Sequence, residues 1–213
     1  MRLDVHTSLR TFLLIAGGIY VLLVVGVAIL PAAQLRLQYP PDEEAWMSDL
    51  VRRGREIYQS QGCIYCHTQQ LRGDERLAVI EDDGTVRVPM LRPDAGFGLA
   101  RPARAEDYRN DSPPFMGTQR TGPDLTNVGV RLPGATWHFW HLYDPRIVSP
   151  DSNMPGLPWL FHTDDTKEDG DRKVDVLLAL EARGVPKGRL WATPDAQALV
   201  EYLLSLQQED RTR

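Results

Sequence analysis

The chain has 213 residues, 42% of them hydrophobic, with 24 basic and 29 acidic side chains and a formal net charge of −5. No basic tract points to a nucleic acid partner, and a mean hydropathy of −0.33 excludes a polytopic membrane protein. The length fits one membrane anchor and one modest domain, and 16 prolines with 17 glycines predict long irregular connections around few helices.

Met1–Arg10 is short and polar, with Arg2 and Arg10 basic and Asp4 acidic. Phe12–Leu30 then runs without a charged residue, long enough at about 1.5 Å per residue to cross a bilayer once. Gly17, Gly18 and Gly26 do not count against a span, because glycine is common in membrane helices. Ala16, Gly17 and Gly18 would also let a second helix approach closely. The rival reading is a cleaved signal peptide. Its apolar region is usually shorter, and Pro31-Ala32-Ala33 offers no clear small-x-small cleavage site. A retained anchor over residues 1–33 is therefore expected. Basic residues precede the span, whereas Asp42, Glu43, Glu44 and Asp49 follow it. That bias puts the N-terminus inside and the larger domain outside.

Residues 34–48 read as a juxtamembrane linker, stiffened by Pro40-Pro41, with Trp46 placed to touch headgroups or a partner. Asp49–Ser60 reads as a helix with a narrow stripe of Leu50, Arg53, Ile57 and Tyr58. Gly54 lowers its propensity but permits a close helix crossing.

This helix leads into Cys63-Ile64-Tyr65-Cys66-His67, which contains the two cysteines of the chain. The C-x-x-C-H spacing reads as covalent attachment of one c-type haem. Two thiols add to the haem vinyl groups, and the adjacent histidine becomes the proximal iron ligand. A bare C-x-x-C also serves redox thiols and half of a zinc site. The following histidine, together with the lack of a second Cys/His pair nearby, favours haem.

Residues 72–115 form a loop insertion rich in Gly, Pro, Asp and Arg, a length that in a compact domain suggests a partner surface. Within it, Leu77–Ile80 and Val86–Val88 flank Asp83-Gly84 as a predicted hairpin. Arg120-Thr121-Gly122-Pro123-Asp124-Leu125 is the next dense motif. A backbone carbonyl near Pro123 is a candidate acceptor for the second ring nitrogen of His67. Arg120 has a fork that suits a haem propionate, although a turn with a surface arginine is the ordinary alternative.

Gly134–Leu142 is expected to be a short helix with Trp137, Trp140 and His141 on one face. Arg146, after Asp144-Pro145, is a second candidate for a propionate or a partner. Met154, in Ser152-Asn153-Met154-Pro155, is the expected sixth iron ligand, since a soft thioether raises the potential of a c-type haem. Pro155 holds Met154 extended, as suits a loop presenting sulfur inward. Met90, Met116, His138 and His141 are the alternative ligands.

Asp164–Asp171 reads as an acidic, solvated connection. Val174, Leu177, Leu178 and Glu181 suggest an amphipathic helix ending before Gly184. Thr193 caps a final helix with Pro194 at its first position and Asp195 in its first turn. Its face of Ala196, Leu199, Leu203 and Leu206, widened by Val200 and Tyr202, is expected to pack on residues 49–60. The whole is mainly α: one transmembrane helix, then a c-type cytochrome domain over 49–208 with long irregular loops, and a polar tail at 209–213.

Six segments together resemble a known family. They are Gly54–Tyr58, Cys63–Gln69, Arg120–Leu125, His138–Arg146, Ser152–Pro155 and Ala182–Pro186. Their likeness is to the mono-haem cytochrome c subunit of the cbb-type cytochrome c oxidases, the C-family haem–copper oxidases. The resemblance implies haem on Cys63 and Cys66, iron held by His67 and Met154, and support of His67 from the carbonyl region at Pro123. It implies an electron-transfer subunit whose gas-reducing centre lies on another chain. The implied partners are that haem–copper catalytic membrane subunit, a cytochrome or other one-electron donor, and an accessory cytochrome subunit. The implied location is the bacterial cytoplasmic membrane, single-pass, with the haem domain on the periplasmic side. The 72–115 loop departs from the family pattern. The related cytochrome c subunit of nitric oxide reductase and an independent membrane-tethered carrier are the alternatives.

Overall fold

The structure is a computed structural model that describes residues 8–41, 47–71, 79–80, 86–87, 102–174 and 190–208. Trp46, Met90, Leu177, Leu178, Glu181, Ala182–Pro186, the 209–213 tail and most of the 72–115 loop lie outside the described residues. The chain divides into two units, residues 1–46 with 104–112, and residues 47–103 with 113–213.

The first unit contains one long helix, α1 (Leu9–Gln38), none of whose residues is buried. Ser8 caps it, its Oγ accepting from the Thr11 N–H at 3.3 Å. Pro31 sits inside the helix without breaking it. The preceding stretch Val24–Ile29 widens to a π-helix, in which the Leu30 N–H donates to the Val25 carbonyl. That wider turn accommodates a proline ring that would otherwise clash with a carbonyl four residues back. The helix therefore continues through Gln34–Gln38, where a linker was expected, and ends at Tyr39 ahead of Pro40. A residue before proline is pushed out of helical geometry, which accounts for the stop. Thirty residues long and uncharged from Thr11 to Leu35, α1 supports a single-pass membrane topology.

The second unit is built around α2 (Asp49–Ser60) and the C-terminal helix of the domain. Ser48 caps α2 through the Val51 N–H at 3.3 Å. Its buried stripe is Gly54, Ile57 and Tyr58, flanked by Val51. Leu50 and Arg53, expected on that stripe, are exposed, and Arg53 pairs with Asp195 at 3.1 Å. The helix is rotated so that Gly54 meets its neighbour. After α2, Val79–Ile80 (β1) and Val86–Arg87 (β2) pair antiparallel, Val79 with Arg87 and Ile80 with Val86, as the hairpin reading expects. The four-residue α3 (Val128–Arg131) and α4 (Ala135–Tyr143) follow. α4 buries His138, Phe139, Trp140 and Leu142, while Trp137 stacks on His141 at 4.6 Å. The expected common face of Trp137, Trp140 and His141 is thus divided, with Trp140 turned into the core.

Three short strands form a sheet that the sequence reading did not foresee: β3 (Phe161–Thr163), β4 (Arg172–Lys173) and β5 (Leu190–Ala192), in the order β3–β5–β4. Both pairings are antiparallel, with Phe161 opposite Ala192 and Arg172 opposite Ala192 on the other edge. Val174 is buried, and its N–H donates to the Leu190 carbonyl at 2.8 Å, so it extends the sheet. The last helix, α5 (Pro194–Ser205), is capped by Thr193 through the Ala196 N–H at 3.2 Å. Gly54 of α2 crosses α5 so closely that an added Cβ would lie 2.5 Å from the Ala198 carbonyl carbon. Tyr58 lies between Tyr202 of α5 and Phe115, with ring centroids at 5.4 and 5.6 Å. These residues, with Phe139, Trp140, Leu142, Leu160, Phe161 and Leu199, make one hydrophobic core.

Candidate functional site

Gly62, at φ 74°, closes the end of α2 in the left-handed region that a side chain would disfavour. A 3₁₀ turn at Cys63–Tyr65 follows. The Cys66 and His67 N–H groups both donate to the Cys63 carbonyl, at 3.2 and 3.0 Å. The turn therefore carries both thiols and the histidine as one local unit. Burial pushes the Cys63 thiol up to about 11. Redox thiols need the opposite shift, toward a stable thiolate. Among the described residues no group of three or more His, Cys, Asp or Glu side chains gathers to hold a metal ion, whereas a structural zinc site needs four ligands.

Residues 66–70 lie along residues 122–126. The Gly122 N–H donates to the Cys66 carbonyl at 2.9 Å, and the Leu125 N–H to the Thr68 carbonyl at 2.8 Å. Between these two bonds, His67 Nδ1 donates to the Pro123 carbonyl at 2.7 Å. Only the Nδ1–H tautomer satisfies a carbonyl, so Nε2 is the nitrogen left for a metal. Gly122 supports the face of the ring. A Cβ there would lie 2.8 Å from Nδ1 and 2.9 Å from Nε2. Burial pushes the proton affinity of His67 down, the Pro123 carbonyl and the Asp124 carboxylate push it back up, and Arg131 pushes it down.

Asp124 joins these two segments. Its carboxylate accepts from Thr68 Oγ1, from the Gln70 N–H at 3.0 Å, and from the Thr126 N–H at 2.8 Å. Its side chain is 1% exposed. Arg120 donates to Thr68 Oγ1 and to the Gln70 carbonyl, both at 2.7 Å, and lies 3.5 Å from the Asp124 carboxylate. Those bonds are with the protein's own loop.

Met154 is half-buried and packs, with Cys63, Ile64 and Leu125, against the common core. Its N–H donates to Ser152 Oγ at 3.2 Å. Its carbonyl accepts from Arg146 at 3.5 Å, while the same guanidinium pairs with Asp144 at 2.9 Å. The following segment is tied down twice. The Leu157 N–H donates to the Leu142 carbonyl at 2.7 Å, and the exposed Trp159 donates from Nε1 to Gln61 Oε1 at 3.1 Å. The second bond fastens the methionine loop to the residue just before Gly62-Cys63. Of the alternative ligands, His138 is buried with Nε2 on the Leu132 carbonyl at 2.8 Å, and Met116 is 37% exposed.

Arg131 Nε and His141 Nδ1 belong to the buried polar atoms without a hydrogen-bond partner among the described residues, and both residues act electrostatically with His67. Burial lowers the pKa of Arg131, and Asp124 partly opposes it. His141 is pushed down to about 4 by burial and then by the charges of His138 and His67. A half-buried guanidinium whose Nε is buried without a partner, and which acts electrostatically on His67, suits a further anionic group. With two thiols, a metal-ready imidazole, a soft thioether and this arginine, the residues present fit a c-type haem. The sequence reading missed Arg131 and gave no role to Asp124. An Asp two residues before a Thr, free to accept its N–H, was the available signal for Asp124. Nothing local distinguishes Arg131 from a surface arginine.

Residues 89–207 match the family model described as "Cytochrome C oxidase, mono-heme subunit/FixO". The match covers more than half of the chain and takes in Arg120–Leu125, Arg131, Arg146 and Met154. Cys63–His67 precede it. Among curated proteins, none matches the chain.

Proposed function

We propose a haem assignment for this chain, which belongs to the FixO family of mono-haem cytochrome c oxidase subunits. Membership makes it an electron-transfer cytochrome c subunit of a haem–copper oxidase complex, with a haem-binding domain, a catalytic haem–copper partner and an electron donor. The family is that of an oxidase, which favours oxygen over nitric oxide as the terminal acceptor. In our assignment Cys63 and Cys66 would hold one haem through thioethers, His67 Nε2 and the Met154 sulfur would donate to its iron, and Arg131 would face a propionate. The observation that carries this is the His67–Pro123 hydrogen bond at 2.7 Å, over the Gly122 cradle, at the end of the two-cysteine turn.

Bound there, the haem supplies one-electron exchange between ferric and ferrous iron. The Pro123 carbonyl fixes the tautomer and orientation of His67. Ser152, Arg146 and the Trp159–Gln61 bond hold the loop that presents Met154. With His67 and Met154 both donating to the iron, this chain would offer no free coordination site, and gas reduction would fall to the catalytic subunit. The domain is assigned to the outer side of the membrane, where c-type haem attachment takes place, in agreement with the charge bias around α1.

The test is expression of the full chain with a c-type haem maturation system. One haem should remain attached after denaturation, and Cys63→Ala with Cys66→Ala should release it. Met154→Ala should remove the weak thioether-to-ferric band at the red end of the visible spectrum and lower the midpoint potential. Haem that acid solvent extracts from the unaltered chain would overturn the covalent assignment. An unchanged spectrum in Met154→Ala would move the sixth ligand to another residue.

A further inference from the structure

Asp124 is a buried carboxylate that lies one residue from the carbonyl holding His67 and bonds the residues that follow His67. It bridges the two segments whose backbones clasp the ring, and it accepts three hydrogen bonds within that clasp. Its neighbour Arg120 also bonds Thr68 and Gln70, so a negative and a positive charge lie 3.5 Å apart within one small network. We propose that Asp124 is a positioning and charge-setting residue for the haem, latching Pro123 beside His67 and lowering the midpoint potential by favouring the ferric state.

The proposal rests on the haem assignment above. A fixed negative charge stabilises the extra positive charge of oxidised iron and its imidazole, and a site shielded from water screens it little. Arg120 offsets part of that field at 3.5 Å. Hydrogen bonding and electrostatics around an axial ligand are established levers on haem potential. The sign separates this role from a merely structural one. Loosening the clasp would admit water, which also stabilises ferric iron and lowers the potential. Removing the Asp124 charge should raise it.

The experiment is redox titration of the full, haem-loaded chain in detergent, with wild type, Asp124→Asn and Arg120→Gln compared by visible spectra. Asp124→Asn should keep the covalent haem and its low-spin spectrum while the midpoint potential rises. Arg120→Gln should shift it downward. A potential in Asp124→Asn that is unchanged or lowered overturns the proposal. If Asp124→Asn yields no loaded protein, Asp124→Ser tests the same sign with a smaller side chain, and an unchanged or raised potential in Arg120→Gln overturns the proposal by itself. Wild-type protein lacking covalent haem would instead defeat the underlying haem assignment.

Discussion

Gly122 sets how closely the 122–126 segment can approach the His67 ring, and a single methyl group tests it. In Gly122→Ala the new Cβ would lie 2.8 Å from Nδ1, well inside contact distance, with a ring on one side and a hydrogen-bonded backbone on the other. The ring must turn or the Pro123 bond must lengthen. Haem loading per chain should fall and the remaining spectrum should show weakened axial ligation. Wild-type loading and spectrum would mean the cradle is dispensable. His141 is the second residue with a measurable signature. Its folded-state pKa of about 4 lies below the ordinary 6.5, so the unfolded chain takes up the proton first. Stability is therefore fully present above pH 6.5 and is lost as pH falls toward 4. At about 1.4 kcal/mol per unit the loss is at most about 3.5 kcal/mol. His138 is lowered too, by burial first, and adds in the same direction. His141→Phe keeps an aromatic ring against Trp137 and should flatten this acid limb in melts followed by circular dichroism; an equally steep limb would remove His141 as its source.

Among the elements, the α2–α5 crossing holds the domain together and delivers the chain to Cys63. Gly54 is the point of closest approach. A Cβ there would meet the Ala198 carbonyl carbon at 2.5 Å and Tyr202 Cβ at 2.7 Å, and backbone cannot move aside as a flexible side-chain tip can. Gly54→Ala gains helix propensity of about 1 kcal/mol but incurs overpacking of about 1–3 kcal/mol. The net effect should be a lower melting temperature, measured on the haem-loaded protein. A raised one would show that the two helices separate at little cost. The crossing was readable in outline, because a glycine in an otherwise good helix invites a close neighbour and the Thr193-Pro194 cap marks where that neighbour starts. The rotation of α2 was not: burial of Gly54, Ile57 and Tyr58 leaves Arg53 outside, where it pairs with Asp195, 142 residues away.

For the molecule as a whole, α1 decides where the chemistry takes place. Its 30 residues span about 45 Å at 1.5 Å per residue, beyond the ~30 Å hydrocarbon core, so some helix projects from the bilayer or the helix tilts. The full chain should stay with membranes through an alkaline carbonate wash. Val21→Arg, near the middle of the uncharged run, should reduce integration, since arginine at a span centre costs about 2.5–3.5 kcal/mol on insertion scales. Release of the unaltered chain by carbonate would exclude a retained anchor.

Sequence alone determined what depends on neighbours a few positions away. The Cys63–His67 pentapeptide, the cap at Thr193, the length of the apolar run and the Asn153-Met154-Pro155 segment are all of this kind. Chemistry and backbone geometry at short range suffice for them. Only the tertiary structure decided the pairings that close long loops. It turned Arg120 toward Thr68 and Gln70, 52 and 50 positions away, and left the Nε of a half-buried Arg131 without a partner. It also assembled three strands of two or three residues, too short to carry an alternating pattern, from segments separated by loops. An arginine or a two-residue strand looks alike in sequence whether it faces water or a partner. What separates the two is burial and hydrogen bonding, and these exist only once distant parts of the chain have met.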